Sequence, residues 1–551
     1  MIVLGLSGVF GHDAAACLVA EGRVVAAAEE ERFTRSKHAL GQLPVQSTLF
    51  CLGRGSVRLD DVDCIAASWD PISAQDSVGL RDYLTWLFQR HDVFRGQRLP
   101  PVHYVDHHTS HAAAACFASG FAKAAVLVID GNAETSATSI GVWQDGHLRF
   151  DQSFGVAHSL GRFYGYATEH VGMVNHSEGK LMGLAAYGDA RDVPSPISLT
   201  DDGYAVSFGE IESLPIDELN KRLFESWQRW LVSHFGPVNL PRYSWCPESG
   251  AMRRLLHLPP WAADLAATVQ SELERIVLHL AKVATKRYGT RNLVLSGGVA
   301  LNCSANGALH RSGLVDDLYV FPASHDGGGA IGAAIWVASR DGPISPCFRA
   351  DLGPSFSTAS VARILRRLGI SYEEPPIIAE RVAGLLLQGK TVGWFQGCME
   401  IGPRALGHRS ILAWPESTKV RDRVNQIKGR EMWRPLAPSM LYDEATRLLR
   451  SHGPFPYMLV ASHASDEGRA VMPAVIHVDG TVRAQTVPRG SGPYADLLLA
   501  VQRQSGTGVI LNTSFNLDSE PIVCTPSDAI RTFYTSELDA LAIEGILIER
   551  R

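Results

Sequence analysis

The chain opens with three apolar runs, Val3-Leu-Gly-Leu-Ser-Gly, Ala14-Ala-Ala-Cys-Leu-Val-Ala and Arg23-Val-Val-Ala-Ala-Ala, which are separated by short glycine-containing turns. Short apolar runs bounded by turn residues predict β-strands. The first run passes through glycines into a turn, and the second and third are joined by Glu21-Gly22, as in a hairpin. We therefore expect an antiparallel three-stranded meander at the start of the fold.

The same plan recurs about 120 residues later, in Ala125-Val-Leu-Val-Ile-Asp-Gly, Ala137-Thr-Ser-Ile-Gly-Val-Trp and His147-Leu-Arg-Phe. The turns fall in matching places, and helical stretches follow each meander. Internal repetition of this kind indicates a duplicated α/β fold, in which each half is a mixed sheet with helices on it and ligand binds in the cleft between the halves. Chance similarity of two meanders is the alternative.

Two glycine turns further along the chain predict nucleotide binding. Ser296-Gly-Gly-Val-Ala-Leu-Asn follows a buried strand, and Asp326-Gly-Gly-Gly follows another. A strand that enters a helix through glycines presents backbone N–H groups to a phosphate or to the sugar of a nucleotide. Tight packing is the alternative explanation of such turns. The candidate nucleotide-binding residues are Gly297, Gly298, Val299, Asn302, Gly327 and Gly328.

The composition limits the possible classes of function. A chain of 551 residues is too long for a single hydrophobic core. We therefore expect at least two domains. No apolar run approaches the roughly 18 residues of a membrane helix, and no signal peptide is recognisable, so we expect a cytoplasmic protein without a membrane partner. The nine cysteines are scattered without a C-x-x-C pair, which favours reduced thiols. The net charge of −6 offers no global reason for nucleic-acid binding.

A segment rich in proline, glycine and serine, at about residues 341–360, marks the expected domain boundary. It divides the chain into a first domain, residues 1–345, and a second, residues 355–551.

Residues 189–262 carry four of the eleven tryptophans, which predicts an acceptor-binding insertion or lid. Packing of Trp227 and Trp230 within a helix is the alternative.

His107 and His111 are four residues apart in an alanine-rich, helical stretch, so both imidazoles point to one face. Asp130 ends a buried strand, and Asp326 begins a glycine turn. Two histidines and two aspartates suit Fe(II), Mn(II) or Zn(II) with open coordination positions. A helix-capping and ion-pairing role of the histidines is the alternative. His12 lies in the first glycine turn and is a candidate general base, because the pKa of histidine lies near neutral pH.

The second domain carries a local basic cluster. Between Arg404 and Arg434 there are eight lysines or arginines and three acidic residues, although the whole chain is acidic. Arginine forks match phosphate oxygens in pairs, so the cluster predicts a site for a triphosphate or an acyl phosphate. Arg409 is a candidate ligand, and Arg483 is expected on a strand. Asn512, Thr513 and Ser514 are expected at the end of another strand.

These motifs, taken together, resemble the carbamoyltransferase family of nodulation-factor and aminoglycoside O-carbamoyltransferases. The resemblance rests on seven ordered motifs: His12-Asp-Ala, Ala26-Ala-Ala-Glu-Glu-Glu-Arg-Phe-Thr-Arg, His107-His-x-x-His-Ala, Glu178-Gly-Lys-x-Met-Gly-Leu-Ala, Ser296-Gly-Gly-Val-Ala-Leu-Asn, Gly402-Pro-Arg-Ala-Leu-Gly-x-Arg-Ser, and Asn512-Thr-Ser-Phe-Asn with Glu520-Pro-Ile-Val.

The resemblance implies an actin-like (Kae1-like) duplicated first domain and a YrdC-like α/β second domain. The first would hold a metal, Fe(II) before Mn or Zn, through His107, His111, Asp130 and Asp326, and would use Glu178 and Lys180 in nucleotide binding. The second would bind ATP, with its Mg, and carbamoyl phosphate through Arg404, Lys428, Arg434, Arg483 and Ser514. The sequence departs from the family in one place, because His325 stands where an acid commonly precedes the metal aspartate.

The activity implied is ATP-dependent transfer of a carbamoyl group, through carbamoyl-adenylate, to a hydroxyl of a small-molecule natural product, as in antibiotic tailoring. The expected partners are carbamoyl phosphate, ATP and a hydroxylated acceptor, without nucleic acid; a homodimer is compatible with the family. A tRNA-modification enzyme that forms threonylcarbamoyl-adenylate and a sugar kinase of the same duplicated fold are the alternatives.

Overall fold

The computed structural model describes residues 1–9, 11–70, 84, 88, 91–209, 214–239, 242–246, 251–255, 257–345, 348–451 and 453–550. The chain divides into two compact units. Unit 1 combines Met1–Gly120 with Val320–Arg551, and unit 2 is Phe121–Tyr319. The boundary expected near residues 345–355 lies inside unit 1, in a stretch whose described residues form neither helix nor strand between Ser339 and Ser357.

The first sheet of unit 1 has five strands in the order β3-β2-β1-β4-β5. The first three are antiparallel neighbours, and β4 and β5 add in parallel on the other side of β1. Their bounds are β1 Ile2–Ser7, β2 Ala15–Ala20, β3 Arg23–Glu29, β4 Cys64–Ala67 and β5 Val102–Tyr104.

The main sheet of unit 2 repeats this arrangement, with the order β14-β13-β6-β7-β8. Strands β6, β7 and β8 form the antiparallel meander, and β13 pairs with β6 in parallel. Read from β8, the order is that of the first sheet, which confirms the duplicated α/β plan predicted from the two meanders. The bounds are β6 Lys123–Ile129, β7 Ser136–Gln144, β8 His147–Gly155, β13 Asn292–Ser296 and β14 Asp317–Val320.

The C-terminal part of unit 1 is a seven-stranded mixed sheet of order β20-β17-β21-β16-β15-β22-β23. Apolar side chains from this sheet and two helices beside it form one buried core around Trp394. The strands are β15 Val392–Phe395, β16 Arg409–Ala413, β17 Ala437–Leu441, β20 Gln485–Val487, β21 Val509–Ser514, β22 Ala540–Ile543 and β23 Ile546–Glu549. Two-stranded ribbons pair β9 Ile197–Thr200 with β10 Gly203–Val206, β11 Arg242–Cys246 with β12 Ala251–Leu255, and β18 Ser462–His463 with β19 Thr481–Val482.

Sixteen α-helices lie in the described parts of the chain. Those of the duplicated region are α1 Glu30–Thr34, α2 Val45–Gly55, α3 His107–Ser119, α4 Leu160–His170, α5 Glu178–Ala185, α6 Ile216–Phe235, α7 Ala262–Tyr288, α8 Cys303–Arg311 and α9 Gly329–Ala338. Those of the C-terminal region are α10 Thr358–Leu368, α11 Ile378–Leu387, α12 Thr418–Ile427, α13 Tyr442–Leu448, α14 Asp466–Val471, α15 Pro493–Ser505 and α16 Pro526–Tyr534.

Helix α9 packs unusually closely against its neighbours in unit 1. It is hydrophobic on all sides and almost entirely buried, as expected of a core helix. A β-carbon on Gly332 would overlap the carbonyl oxygen of Ser110 in α3, and one on Gly5 in β1 would overlap the carbonyl oxygen of Ala330. These two glycines therefore let α9 approach both the sheet and α3.

The tryptophan-rich region, residues 189–262, lies partly outside the described residues. In unit 2, Trp227 is buried in α6, with its ring 4.5 Å from that of Phe163 and 4.7 Å from that of Phe208. This packing supports the alternative explanation for Trp227, which is a core residue of α6.

Among the described helices, none combines the length and the apolar character that a membrane crossing requires.

We expect Gly332→Ala to lower the stability of unit 1, because the added methyl group must push α9 away from α3. Overpacking of this kind costs about 1–3 kcal/mol, which is measurable as a lower midpoint of thermal unfolding. Gly53→Ala is the control, since Gly53 is an exposed helical glycine with no atom near the new β-carbon; it should raise stability by about 0.5–1 kcal/mol. Equal midpoints for the two variants would contradict the close approach.

Candidate functional site

Helix α3 places two histidines of unit 1 side by side. Its N-cap is Asp106, whose carboxylate accepts from the backbone N–H of Thr109 at 2.7 Å, so the helix begins at His107. One turn later His111 lies on the same face, and the two Nε2 atoms are 3.1 Å apart. Both side chains are buried. The predicted pairing of the imidazoles is confirmed.

The protonation of His107 suits metal binding. Its Nδ1 donates to the carbonyl oxygen of Ser68 at 3.0 Å. Because a carbonyl only accepts, the proton sits on Nδ1, and Nε2 carries the lone pair that faces His111. Metal-ligating histidines commonly have such a carbonyl partner, which fixes the ring and its tautomer.

Asp326 brings a carboxylate to the two imidazoles. Its Oδ1 lies 3.5 Å from Nε2 of His107 and 3.8 Å from Nε2 of His111. Burial opposes ionisation, but His107, His111 and His12 outweigh it and hold the pKa of Asp326 well below its usual range. Two imidazole nitrogens and a carboxylate at these distances fit a divalent ion of the iron, manganese or zinc type.

The fourth predicted ligand, Asp130, belongs to unit 2, where it follows β6. Its Oδ1 accepts from the backbone N–H groups of Gly131 at 2.7 Å and Gly298 at 3.1 Å. The side chain of Asp130 is buried. Its role as a metal ligand stays a prediction.

The predicted strand–turn–helix arrangement is present at both glycine turns. Gly297 and Gly298 lead from β13 through a single helical turn into α8, and Gly327 and Gly328 precede α9. Packing demands these glycines: Gly297 has φ +88, with its β-carbon position 2.5 Å from the carbonyl oxygen of Ile129. A nucleotide-binding role for the turns stays a prediction, and so does that of Val299.

Three other predicted nucleotide ligands lie in or beside helices of unit 2. Asn302 caps α8 by accepting from the N–H of Ala305 at 3.0 Å, and its amide pairs with that of Gln270. Glu178 and Lys180 lie in the first turn of α5 and are half-buried. The side chain of Asn302 is therefore engaged in capping α8. The first turn of α5 is a favourable place for an anion, because the positive end of the helix dipole lies there.

The candidate base His12 is held by carboxylates. Its Nδ1 lies 3.1 Å from Asp13 and 3.9 Å from Asp326. Asp13 also accepts from Nδ1 of His38 at 3.0 Å. Although Asp13 is buried, hydrogen bonds from His12 and His38 depress its pKa, so it stays ionised. A carboxylate on Nδ1 leaves Nε2 of His12 as the nitrogen that can take a proton.

His325, the departure from the family pattern, is in an ion pair. Its Nε2 donates to Oε1 of Glu29 at 2.7 Å. Burial lowers the pKa of His325, but the hydrogen bond with Glu29 and the charge of Asp13 outweigh it and raise the pKa to about 9. Glu29 also accepts from Arg32, and its pKa falls to about 2 despite burial. His325 is therefore expected to be an imidazolium next to Asp326, the predicted metal ligand.

The loop that carries Arg404 is organised by a buried carboxylate in the C-terminal part of unit 1. Oε1 of Glu400 accepts from the backbone N–H of Leu406 at 2.7 Å and of Arg409 at 3.2 Å. Glu400 is buried, and Arg404 is half-buried. One carboxylate therefore fixes the backbone on the C-terminal side of Arg404.

Arg409 has a different environment from the one expected of a phosphate ligand. It is fully buried, stacks over the ring of Phe395 at 3.5 Å, and donates to backbone carbonyls. The acceptors are the carbonyl oxygens of Pro354, Gln396, Gly397 and His408. Burial lowers its pKa to about 10. Arg409 therefore holds the backbone of its loop together, and its role as a phosphate ligand stays a prediction.

Four cations influence one another's charge in the region of the predicted basic site: Lys428, Arg430, Arg434 and Arg483. Lys428 is buried and donates to the carbonyl oxygens of Ser514 and Asn516. Burial, together with Arg430 and Arg434, holds its pKa well below the usual range. The pKa of Arg430 is depressed in the same way, by burial, Arg434 and Arg483. Two carboxylates accompany this basic group, because Nη1 of Arg434 lies 3.7 Å from an oxygen of Glu431 and 3.9 Å from one of Asp518.

The remaining predicted residues of this site lie close to where they were expected. Ser514 ends β21, as predicted, and Thr513 precedes it. Arg483 lies between β19 and β20, not on a strand. The side-chain amide of Asn512 is buried and donates to Ala405 at 3.1 Å, which ties β21 to the Arg404 loop. Arg430 lies in the same basic run but was not predicted as a candidate ligand. Its position between Lys428 and Arg434 was the signal that could have identified it.

Comparison with known proteins covers almost the whole chain. Residues 2–85 and 75–335 match the family described as Carbamoyltransferase N-terminus, and residues 383–550 match Carbamoyltransferase C-terminus. Nodulation protein NolNO of Sinorhizobium fredii is 35% identical over 100% of this chain and 80% of its own length. An uncharacterized Synechocystis protein is 34% identical over 100% of this chain and 96% of its own, and Nodulation protein U of Sinorhizobium fredii is 28% identical over 92% of each.

We expect protein purified without chelator to carry about one divalent metal ion per chain. His111→Ala should lose most of it, because an imidazole is removed from the ligand group. His103→Ala, at an exposed histidine of β5, is the control and should keep its metal. Elemental analysis measures both, and equal metal content in the two variants would contradict the assignment of His111.

We also expect His325 to make stability depend on pH in the metal-free protein. Its pKa is raised, so its contribution is complete below pH 6.5 and is lost as pH rises through about 9. The contribution is at most about 3 kcal/mol. The thermal midpoint of the wild type in chelator should therefore fall more steeply between pH 6.5 and 9 than that of His325→Gln. Parallel curves would mean that the His325–Glu29 pair adds nothing to stability.

Proposed function

This chain belongs to the carbamoyltransferase family, and from that premise we propose that it forms carbamoyl-adenylate from carbamoyl phosphate and ATP and passes the carbamoyl group to a hydroxyl of a small-molecule natural product. The observation that carries the proposal is the group of four cations, Lys428, Arg430, Arg434 and Arg483, in which burial and neighbouring positive charges depress the pKa values of the first three. Such a group is suited to a ligand with several phosphates.

In the first half-reaction these cations bind the phosphates of both substrates. Carbamoyl phosphate reacts with water to give phosphate and carbamate, and a carbamate oxygen then attacks the α-phosphorus of Mg-bound ATP, from which pyrophosphate leaves. The positive groups stabilise the charge that grows on the leaving phosphates. Arg404 supplies another cation from a loop that Glu400 and Asn512 hold in place.

In the second half-reaction the acceptor hydroxyl attacks the carbonyl carbon of the adenylate, and AMP leaves. Nε2 of His12 takes the hydroxyl proton, since Asp13 orients the ring through Nδ1. A divalent ion held by His107, His111 and Asp326, with Asp130 as the predicted fourth ligand, would supply Lewis-acid polarisation of the carbonyl; Fe(II) is our first choice and Mn(II) or Zn(II) the others. The nucleotide part would bind at the glycine turns and at Glu178 and Lys180.

The test separates the two half-reactions by single substitutions. Arg434→Ala should lower carbamoyl-phosphate-dependent pyrophosphate release by about 10²–10³-fold, as loss of a preorganised charge does. It should still transfer the carbamoyl group from supplied carbamoyl-adenylate. His111→Ala should do the reverse. Arg423→Ala, at an exposed arginine paired with Asp539, is the control and should retain both activities.

Three results would count against the proposal. Release of ADP instead of pyrophosphate would favour the sugar kinase. Dependence of adenylate formation on threonine would favour tRNA modification. Loss of both half-reactions in Arg434→Ala, with its circular dichroism unchanged, would mean that the two sets of residues do not serve separate steps.

A further inference from the structure

A chain of buried polar contacts in unit 1 connects the segment of Asp326 with the segment of Arg404, and the proposed mechanism does not use it. It begins at His325, whose Nε2 lies 2.7 Å from Oε1 of Glu29. Oε2 of Glu29 accepts from Nε of Arg32 at 2.8 Å and from Nη2 at 2.6 Å. Nη2 of Arg32 then donates to the carbonyl oxygen of Gly402 at 2.9 Å, two residues before Arg404.

The guanidinium of Arg32 is the centre of this chain. Its side chain and that of Glu29 are each only 4% exposed. Its Nη1 pairs with Oε1 of Glu31 at 2.9 Å, so every nitrogen of the fork has an acceptor. A planar fork that meets three acceptors in fixed directions defines an orientation that the flexible ammonium of lysine does not reproduce.

The backbone at Gly402 gives a second, independent link between the same two segments. Gly402 has φ +96, and a β-carbon there would lie 2.5 Å from the carbonyl oxygen of Pro322, four residues before Asp326. The carbonyl that Arg32 binds is therefore on a residue already pressed against the segment that ends in Asp326. Close packing sets the separation of the two segments, and Arg32 sets the direction of the peptide that leads to Arg404.

We propose that Arg32 is a positioning residue for adenylate formation: it orients the Arg404 loop and, through Glu29 and His325, ties that orientation to the metal-ligand segment. The inference rests on the proposed function, because it assigns Arg404 to the first half-reaction. Among the described residues, the hydrogen bonds and ion pairs of the Arg32 side chain run to Glu29, Glu31 and Gly402, not to the phosphate-binding cations or the metal ligands.

The effect expected of a positioning residue differs from that of a structural one. Displacement of Arg404 weakens a contact made in the transition state, whereas Lys428, Arg434 and Arg483 still bind the substrates. Arg32→Lys should therefore lower kcat of carbamoyl-phosphate-dependent pyrophosphate release by about 10–100-fold and change the KM values by less than about threefold. A purely structural role would lower the thermal midpoint and leave kcat of the folded protein unchanged.

Arg35→Lys is the matched control. Arg35 follows Arg32 by one helical turn and also donates to C-terminal residues, at the carbonyl oxygens of Pro521 (2.7 Å) and Ile522 (2.6 Å). Its carboxylate partner among the described residues is Asp528, at 3.7 Å, and not Glu29. We expect its thermal midpoint to fall about as much as that of Arg32→Lys, with kcat within about threefold of the wild type.

Two further variants keep the inference testable. Glu29→Gln removes the acceptor charge and should reproduce the loss of kcat, so it replaces Arg32→Lys if that protein does not fold. His325→Gln should lower kcat of the same half-reaction, and combining it with Arg32→Lys should add little, because both act through one chain of contacts.

The outcomes separate this inference from the proposed function. If the wild type releases no carbamoyl-phosphate-dependent pyrophosphate, the proposed function fails. If the wild type does so and folded Arg32→Lys or Glu29→Gln keeps its kcat, the positioning role is wrong. If His325→Gln leaves this kcat unchanged, or its loss adds fully to that of Arg32→Lys, the tie to the metal-ligand segment is wrong.

Discussion

The close contact between helices α9 and α3 is the constraint on which the metal-ligand geometry depends. Asp326 lies just before α9, and both histidines lie on α3, so the separation of these helices sets the distance from carboxylate to imidazole. Gly332 allows that separation because any larger residue would overlap the Ser110 carbonyl. Since the three predicted ligands lie in or just before the first turns of helices, binding an ion would require little ordering of the chain.

The arginines of this protein have two different environments, which are distinguished by the acceptors around the guanidinium group. Arg32 and Arg409 are buried and donate to carboxylate or carbonyl oxygens, so they hold segments of backbone together. Arg430 and Arg434 are half-buried beside other cations, and burial and the neighbouring positive charges depress their pKa values. A group of this kind is unfavourable without an anion, as expected of the phosphate site that we propose.

Local patterns made much of this structure predictable, and contacts distant in sequence account for the rest. The meanders, the i, i+4 histidines and the aspartate before a glycine turn each depend on a few neighbouring residues. Arg404 and Arg409 lie in the same motif, and the sequence does not distinguish their environments. Arg409 begins β16 and stacks over the ring of Phe395, a contact that depends on tertiary packing. The pairing of His325 with Glu29 joins residues almost 300 positions apart, and no periodicity reports it.

Unit 1 is discontinuous in sequence, and this has a consequence for biosynthesis on the ribosome. Strands β1 to β5 are made first, but α9, which covers β1, follows only after the whole of unit 2. At 5–20 residues per second, translation of those intervening residues takes roughly 10–40 s. During that interval the apolar face that receives α9 lacks this helix, because unit 2 must be completed before α9 is made. The order of synthesis therefore exposes the first sheet to chaperones or aggregation before its own core can close.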